Sequence, residues 1–232
     1  MRIFVISLFT IFSYALFGQD TLNITDSLGR KQGSWRKTDT AGRVIYDGHF
    51  KNGFPSGEFH YYYADGKLKT VSMVSERGKR AVITSYFPNG KKMACGVYLN
   101  EKKDSLWQFF SESNGTLVSE ERYKNGVMEG FSRVFYPDGT LSEQHFYKQG
   151  IRDGLWEQHY TDGKIKLRGA YKAGEKQGAF KTFYNSGKSM IEGQYLSGHQ
   201  AGIWTYYNEK GAVSKKEIYE NGLLVKVEEP GK

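Results

Sequence analysis

The sequence has one cysteine and four prolines in 232 residues, and its only long apolar run lies at the N-terminus. A lone Cys95 forms no internal disulfide, which excludes a disulfide-stapled scaffold and leaves an inert buried thiol as the expected state. Five histidines stand at 49, 60, 145, 159 and 199, none at a zinc-type spacing from another His or from the cysteine. There is no G-x-S-x-G elbow, no phosphate-binding glycine loop and no activating partner for the thiol. These absences predict a chain that is not an enzyme, with no cofactor, no catalytic residue and no metal site. Ser132, beside Glu129 and Arg133, is the one place where polar residues interrupt an otherwise aromatic position, and a worn repeat accounts for it.

What the chain has in quantity is glycine, 28 residues, and tyrosine, 17 residues, with aromatics at 16% against 38% hydrophobic overall. Rings and glycines together suit short twisted strands joined by tight turns. They recur every 24 residues, about eight times. Small residues open the copies at Gly33, Gly57, Ala81, Ser105, Gly130, Gly154, Gly178 and Gly202, with one extra residue between Ser105 and Gly130. A fixed period of this length marks an array in which each unit is stabilised mainly by its neighbours.

Within a unit the third residue is usually a large ring, at Trp35, Phe59, Trp107, Trp156, Phe180 and Trp204, with Ile83 as the aliphatic variant. Three positions later comes a second series, Tyr62, Tyr86, Phe110, Phe135, Phe183 and Tyr207, which alternation places on the opposite face of a strand. A turn follows at Asp65-Gly66, Asn89-Gly90, Asn114-Gly115, Asp138-Gly139, Asp162-Gly163 and Ser186-Gly187, where Asn-Gly and Asp-Gly would supply the positive φ of a tight hairpin. A second strand ends near Phe50, Tyr98, Tyr123, Tyr147, Tyr171, Tyr195 and Tyr219, and the chain turns again at Gly53, Gly126, Gly150, Gly174, Gly198 and Gly222.

Short connections on both sides require antiparallel neighbours. The predicted fold is therefore all-β: an elongated antiparallel β-meander of about eight 24-residue β-hairpin repeats in a single twisted sheet. About sixteen strands at ~4.8 Å spacing make it roughly 75 Å long. The repeats run 33–56, 57–80, 81–104, 105–129, 130–153, 154–177, 178–201 and 202–222, between a lead-in at 19–32 and a tail at 223–232. Thr21 to Leu28 and Leu223, Leu224, Val225 and Val227 are expected to cover the two ends.

Phe50 and Phe59, Tyr147 and Trp156, Tyr171 and Phe180, and Tyr195 and Trp204 are each nine residues apart across the second turn. This spacing predicts that each pair sits directly opposite on one face, as an aromatic ladder contributing about 0.5–1 kcal/mol per rung beyond burial. The ladder is worn where Val74, Ala81, Glu101 and Ser132 replace its usual residues. An irregularity is expected between residues 74 and 132.

The N-terminus has a basic Arg2 and an apolar stretch from Ile3 to Phe17 followed by Gly18. Fifteen residues are short for a membrane span, which needs about 20, and the pattern predicts a signal peptide at 1–18. The chain is then expected to be exported, to the periplasm, outer surface or extracellular space. Removing Arg2 lowers the net charge from +8 to +7. The excess, at Arg77, Lys79, Arg80, Lys91, Lys92, Lys102, Lys103, Lys164, Lys166, Arg168, Lys215 and Lys216, is interspersed with acids and reads as a solvated face.

The segment at 192–211, EGQYLSGHQAGIWTYYNEKG, resembles the MORN repeat, whose unit pairs a G-x-[WY] element with a glycine turn and a second glycine-led strand. Similar elements stand at Gly48-His49-Phe50, Gly96-Val97-Tyr98, Gly169-Ala170-Tyr171 and Gly193-Gln194-Tyr195, so the resemblance covers residues 33–222. It is greatest to the bacterial variant of the repeat, found in proteins often labelled as antitoxin components of toxin-antitoxin systems. The resemblance implies stacked β-hairpins, protein scaffolding and binding of anionic phospholipid.

The expected function is a non-catalytic scaffold for protein-protein contact at the cell envelope. The alternatives are binding of cell-wall glycan or another polysaccharide through the rings, an antitoxin or immunity role, and binding of anionic lipid. Nucleic acid is not an expected partner, and the sequence leaves the oligomeric state open. The candidate partner-binding aromatics are Trp107, Tyr147, Trp156, Tyr171, Tyr195, Trp204 and Tyr207, because rings anchor binding hot spots.

Overall fold

The computed structural model describes residues 22–230, so the expected signal peptide at 1–18 lies outside the described residues. Those residues are all-β, in one open antiparallel sheet. In chain order the strands are β1 (Ile24–Thr25), β2 (Lys31–Thr38), β3 (Val44–Lys51), β4 (Phe54–Pro55), β5 (Gly57–Tyr62), β6 (Leu68–Ser75), β7 (Arg80–Tyr86), β8 (Lys92–Leu99), β9 (Lys102–Phe110) and β10 (Leu117–Lys124). They continue as β11 (Val127–Phe135), β12 (Leu141–Lys148), β13 (Ile151–His159), β14 (Ile165–Lys172), β15 (Glu175–Lys176), β16 (Gly178–Phe183), β17 (Ser189–Leu196), β18 (His199–Tyr207), β19 (Val213–Glu220) and β20 (Leu223–Glu228).

Each strand pairs with its neighbours in sequence. Strand β3 pairs with both β4 and β5, and β14 with both β15 and β16, so each of those couples is one strand broken at a bulge. The meander exceeds the sixteen expected strands because both ends add one. Strand β1 covers β2, and β20 covers β19.

The two turn series have different geometry. After the first strand of each hairpin the loop is closed by bonds such as Tyr63 N–H to the Lys67 carbonyl and Gly66 N–H to the Tyr63 carbonyl, both under 3 Å. Only the glycine there has positive φ, +83° at Gly66 and +89° at Gly139, while Asp65 and Asp138 do not. These are three-residue loops, not the two-residue turns the Asp-Gly pairs suggested. The Asp or Asn instead accepts the backbone N–H two residues on, as Asp138 does from Thr140 at 2.8 Å. The extra residue of the fourth copy enlarges this loop, where Ser111 N–H reaches the Thr116 carbonyl.

The second turn is the tight one. Asn125-Gly126, with φ of 52° and 84°, and Gln149-Gly150, with 51° and 80°, join Lys124 to Val127 and Lys148 to Ile151. Two successive positive φ values make a turn whose twist matches the strands it joins.

Beyond this turn the register departs from expectation. Tyr147 faces Arg152, but two residues further along its strand His145 already faces Trp156. The following strand has taken in two extra residues at a bulge. The small residue that opens each copy sits in that bulge, with φ of 99° at Gly130, 127° at Gly154 and 60° at Ser105. The ring pairs nine residues apart are therefore diagonal neighbours: Phe50 faces Pro55, Tyr171 faces Lys176 and Tyr195 faces Gln200. A shift of two leaves every ring on its intended face. Contact survives in Phe50–Phe59 at 5.3 Å and Tyr195–Trp204 at 5.1 Å between centroids, both edge-on.

The third copy shows the same rule by its exception. Ala81 has no positive φ, and β6 pairs with β7 without a shift, from Thr70 opposite Ser85 to Ser75 opposite Arg80. The two residues of slack go into a four-residue connection at 76–79, where Glu76, Arg77 and Gly78 take positive φ. This is the irregularity expected between 74 and 132.

A central row crosses the whole sheet. Trp35 faces Gly48, Trp156 faces Gly169 and Phe180 faces Gly193. The glycine of each G-x-[YF] element is there for room: a Cβ on Gly48 would lie 2.2 Å from the Phe59 ring, on Gly96 2.3 Å from Trp107, and on Gly193 2.3 Å from Trp204. Phe59, Trp107 and Trp204 thus lie against the bare backbone of the strand before them. Where the row lacks a ring at Ser132, its two neighbours are Glu121 and His145 in place of glycine, so volume is kept. His145 itself stacks on Trp156 at 6.0 Å and 11°.

The best-packed part of the row gathers Leu167, Phe180 and Trp204, with Trp156, Ile191, Tyr195, Tyr206 and Tyr219 against them. Because no alternative site exists for the indole, Gly193→Ala should destabilise the protein by ~1–3 kcal/mol in urea denaturation. Gly169→Ala, whose Cβ would meet its nearest rings at 3.3 Å, should cost clearly less.

Candidate functional site

Alternation gives the sheet two unlike faces. One carries the ring row, the tyrosines beside it and a file of cations. Lys31, Lys103, Arg152 and Lys176 each stand four residues before a ring position and lie over aromatic faces: Lys103 at 4.7 Å from Trp107 and 4.9 Å from both Phe109 and Tyr123, and Lys176 at 4.9 Å from Tyr195. Lys31 covers Trp35 and Phe50, and Arg152 covers Tyr171. Such contacts contribute about 0.5–2 kcal/mol each. Lys103 is thus no part of a merely solvated face, and Lys215, 4.3 Å from the Tyr206 ring, is another such case.

The opposite face carries a polar ladder in its middle. Its directly opposed residues run Arg36, Asp47, His60, Val71, Thr84, Cys95, Gln108, Glu120, Arg133, Gln144, Glu157, Arg168, Lys181, Glu192, Thr205, Lys216 and Glu228, one per strand. Neighbours bond along it: Gln108 donates to Glu120 at 2.8 Å, Gln144 to Glu157 at 2.6 Å, and Arg168 to Glu157 at 2.7 Å. Cys95 is half-buried within this ladder, its thiol donating to Gln108 at 3.6 Å, and is not the fully buried thiol expected. Glu192 accepts from Ser189, Lys181 and Tyr207, which together hold its carboxyl below the usual range.

The seven candidate aromatics are divided by this arrangement. Trp107 and Trp204 are 3% and 2% exposed, so their rings pack the sheet and offer no surface. Tyr147, Trp156, Tyr171 and Tyr195 are half-buried on the ring face. Tyr207 lies on the other face, its hydroxyl 3.4 Å from Glu192. The first six share the ring face, Trp107 several strands away from the other five, and the seventh is on the opposite face.

Two series escaped the sequence reading. The polar ladder occupies the residues just after each ring position and just before each G-x-[YF] element, and tabulating those two positions would have shown it. The second is Tyr63, Tyr136, Tyr160 and Tyr184, whose hydroxyls donate to the carbonyls of Tyr86, His159, Phe183 and Tyr207 at 2.6–2.8 Å, always 23 residues on. They tie each hairpin to the next, at about 1 kcal/mol per bond. Phe87 and Ser111 hold the equivalent positions in the worn copies.

Among the described residues, no group of three or more His, Cys, Asp or Glu is placed to hold a metal ion. One electrostatic cluster lies near the end of the row. Glu217 accepts from Lys215 at 2.7 Å, Tyr206 at 2.5 Å and Tyr219 at 3.0 Å. These bonds hold its carboxyl below the ordinary value, while burial, then the bond to Glu217, pushes the Tyr206 phenol well above its own. A depressed carboxyl pKa stabilises the fold above the unfolded value and loses that contribution as pH falls through the folded one. Glu217→Gln should therefore lose less stability than the wild type between about pH 6 and about pH 3, measured by urea denaturation at each.

Comparison with known proteins adds one family. The family model described as "MORN repeat variant" matches residues 128–149, 152–173 and 176–196, and that description does not mention an antitoxin. No curated protein matches the chain. Among solved structures, the chain is similar to a crystal structure of an S. aureus TarM point mutant in complex with Fondaparinux, alpha-GlcNAc-glycerol and UDP, at 15% identity and a TM-score of 0.31, over 42% of this chain and 19% of that one. A second TarM crystal structure gives 16% and 0.30 over 41% and 20%, and the TcdB2-TccC3-TEV crystal structure 12% and 0.22 over 82% and 14%. The matches span a fifth or less of those chains and carry no functional argument. Residues 128–196 thus carry three matches to the MORN repeat variant.

Proposed function

We propose that the protein is an exported, non-catalytic repeat scaffold that binds a protein partner at the cell envelope through the polar-ladder face of its sheet. The observation that carries this reading is a row of apolar side chains on that face, beside the ladder. It includes Met73, Val82, Val97, Leu106, Phe131, Phe146, Leu155, Ile203 and Ile218, with Met73, Val82 and Ile203 at least 40% exposed. Apolar sheet faces ordinarily pack against a second layer. Among the described residues this sheet has none.

An apolar strip flanked by paired charges has the composition of a protein interface, with its centre apolar and its rim polar. The rings on the other face support the reading indirectly, since two of the four tryptophans are consumed in holding the sheet. The signal-like N-terminus supports export.

The test is photo-crosslinking in cells, with a photoreactive residue placed singly at Val82, Ile203 or Trp156. Discrete protein adducts in the envelope fraction at the first two positions, and few at the third, are expected. Adducts confined to Trp156, or adducts formed in the cytoplasm, would overturn the face or the location.

A further inference from the structure

The ring face has a hollow of about 640 Å³ where the third copy lacks its rings. It is lined by Thr70 and Ser72 of β6 and Ala81, Ile83 and Ser85 of β7, with Ile83 where most copies hold a ring and Ser85 where Tyr61, Phe109 and Tyr206 stand in others. Rings resume at its two sides. Tyr61, partly exposed and 5.8 Å from Tyr46, forms one wall, and Tyr98, edge-on to Trp107 at 4.9 Å, forms the other.

The place left open is that of a flat ring. Lys79 stands four residues before Ile83, as Lys31, Lys103, Arg152 and Lys176 stand before their rings, so the cation is kept where the indole is lost. Tight packing elsewhere on this face makes such a gap unusual. The volume falls within the ~300–1,000 Å³ of small-molecule sites.

The floor decides which flat ring fits. It is rich in hydroxyls: Ser72 is buried, and Thr70 and Ser85 bond to each other at 3.0 Å. Lys69, Lys79 and Glu101 also line the hollow, which gives both donors and an acceptor without a strong net charge. A purely aromatic guest would leave those hydroxyls and rim groups without new partners, at a cost in desolvation. A pyranose matches both features, its apolar face against tyrosine rings and its hydroxyls against serine, threonine, lysine and glutamate.

We infer that the gap in the third repeat is a binding site for a short saccharide, held between Tyr61 and Tyr98 over the Ser72, Thr70 and Ser85 floor. It is separate from the protein-binding face, being on the other side of the sheet.

The test is calorimetric titration of the full chain with cellotetraose, chitotetraose and maltotetraose, and with N-acetyltryptophanamide as an aromatic probe. One-to-one binding of at least one saccharide is expected, weakened on the order of tenfold or more by Tyr98→Ala. Ser72→Gly/Ile83→Trp, which restores the regular row and fills the gap, should abolish binding while keeping or raising the melting temperature, so loss of fold and loss of site are distinguishable. Crosslinks from Val82 should persist in that variant. No binding of any saccharide, binding unchanged in the filled variant, or binding of the tryptophan probe alone would overturn the assignment.

Discussion

The rest of the structure depends on the stacking of a ring on a bare backbone. A single-layer sheet has no second layer to bury its apolar side chains, so each strand must find cover within the sheet itself. A tryptophan or phenylalanine lying on the glycine of the preceding strand does this, with its ring too close to that glycine for any side chain there. This contact brings Phe59, Trp107 and Trp204 to 2–3% exposure in a sheet one layer thick. The tyrosines and cations beside the row then shield what remains.

From that contact follow the positive φ angles of the backbone. The ring must reach the glycine two residues before the tyrosine, and this requires an even register shift after a two-residue turn. The bulge that makes the shift needs a positive φ at the residue opening the copy, which is why that residue is glycine in six of the eight copies. Where Ala81 stands, the bulge is absent, the loop lengthens and the ring row lapses. Sequence, register and packing fail together in one place, and the hollow of the ring face opens there.

Much of this was legible in the sequence. The 24-residue period, the hairpins and the two end strands followed from rings, glycines and short connections. The register was not, because a glycine that makes a bulge and a glycine that only makes room look alike in a sequence. Gly154 does the first and Gly193 the second. Six of the seven candidate aromatics share the ring face and Tyr207 lies on the other, and Trp107 and Trp204 could not be known as buried without knowing what lies under them. The ladder from Arg36 to Glu228 was hidden for a plainer reason: its residues vary in type from copy to copy and share only a position.

The central claim is that stability resides in the ring-on-glycine contacts. Amide hydrogen exchange resolved strand by strand tests it directly, since protection reports local opening. The account predicts the slowest exchange in β16–β18, around Phe180, Gly193 and Trp204, and markedly faster exchange in β6 and β7 than in other interior strands. Protection in β6 and β7 equal to that in β16–β18 would contradict it.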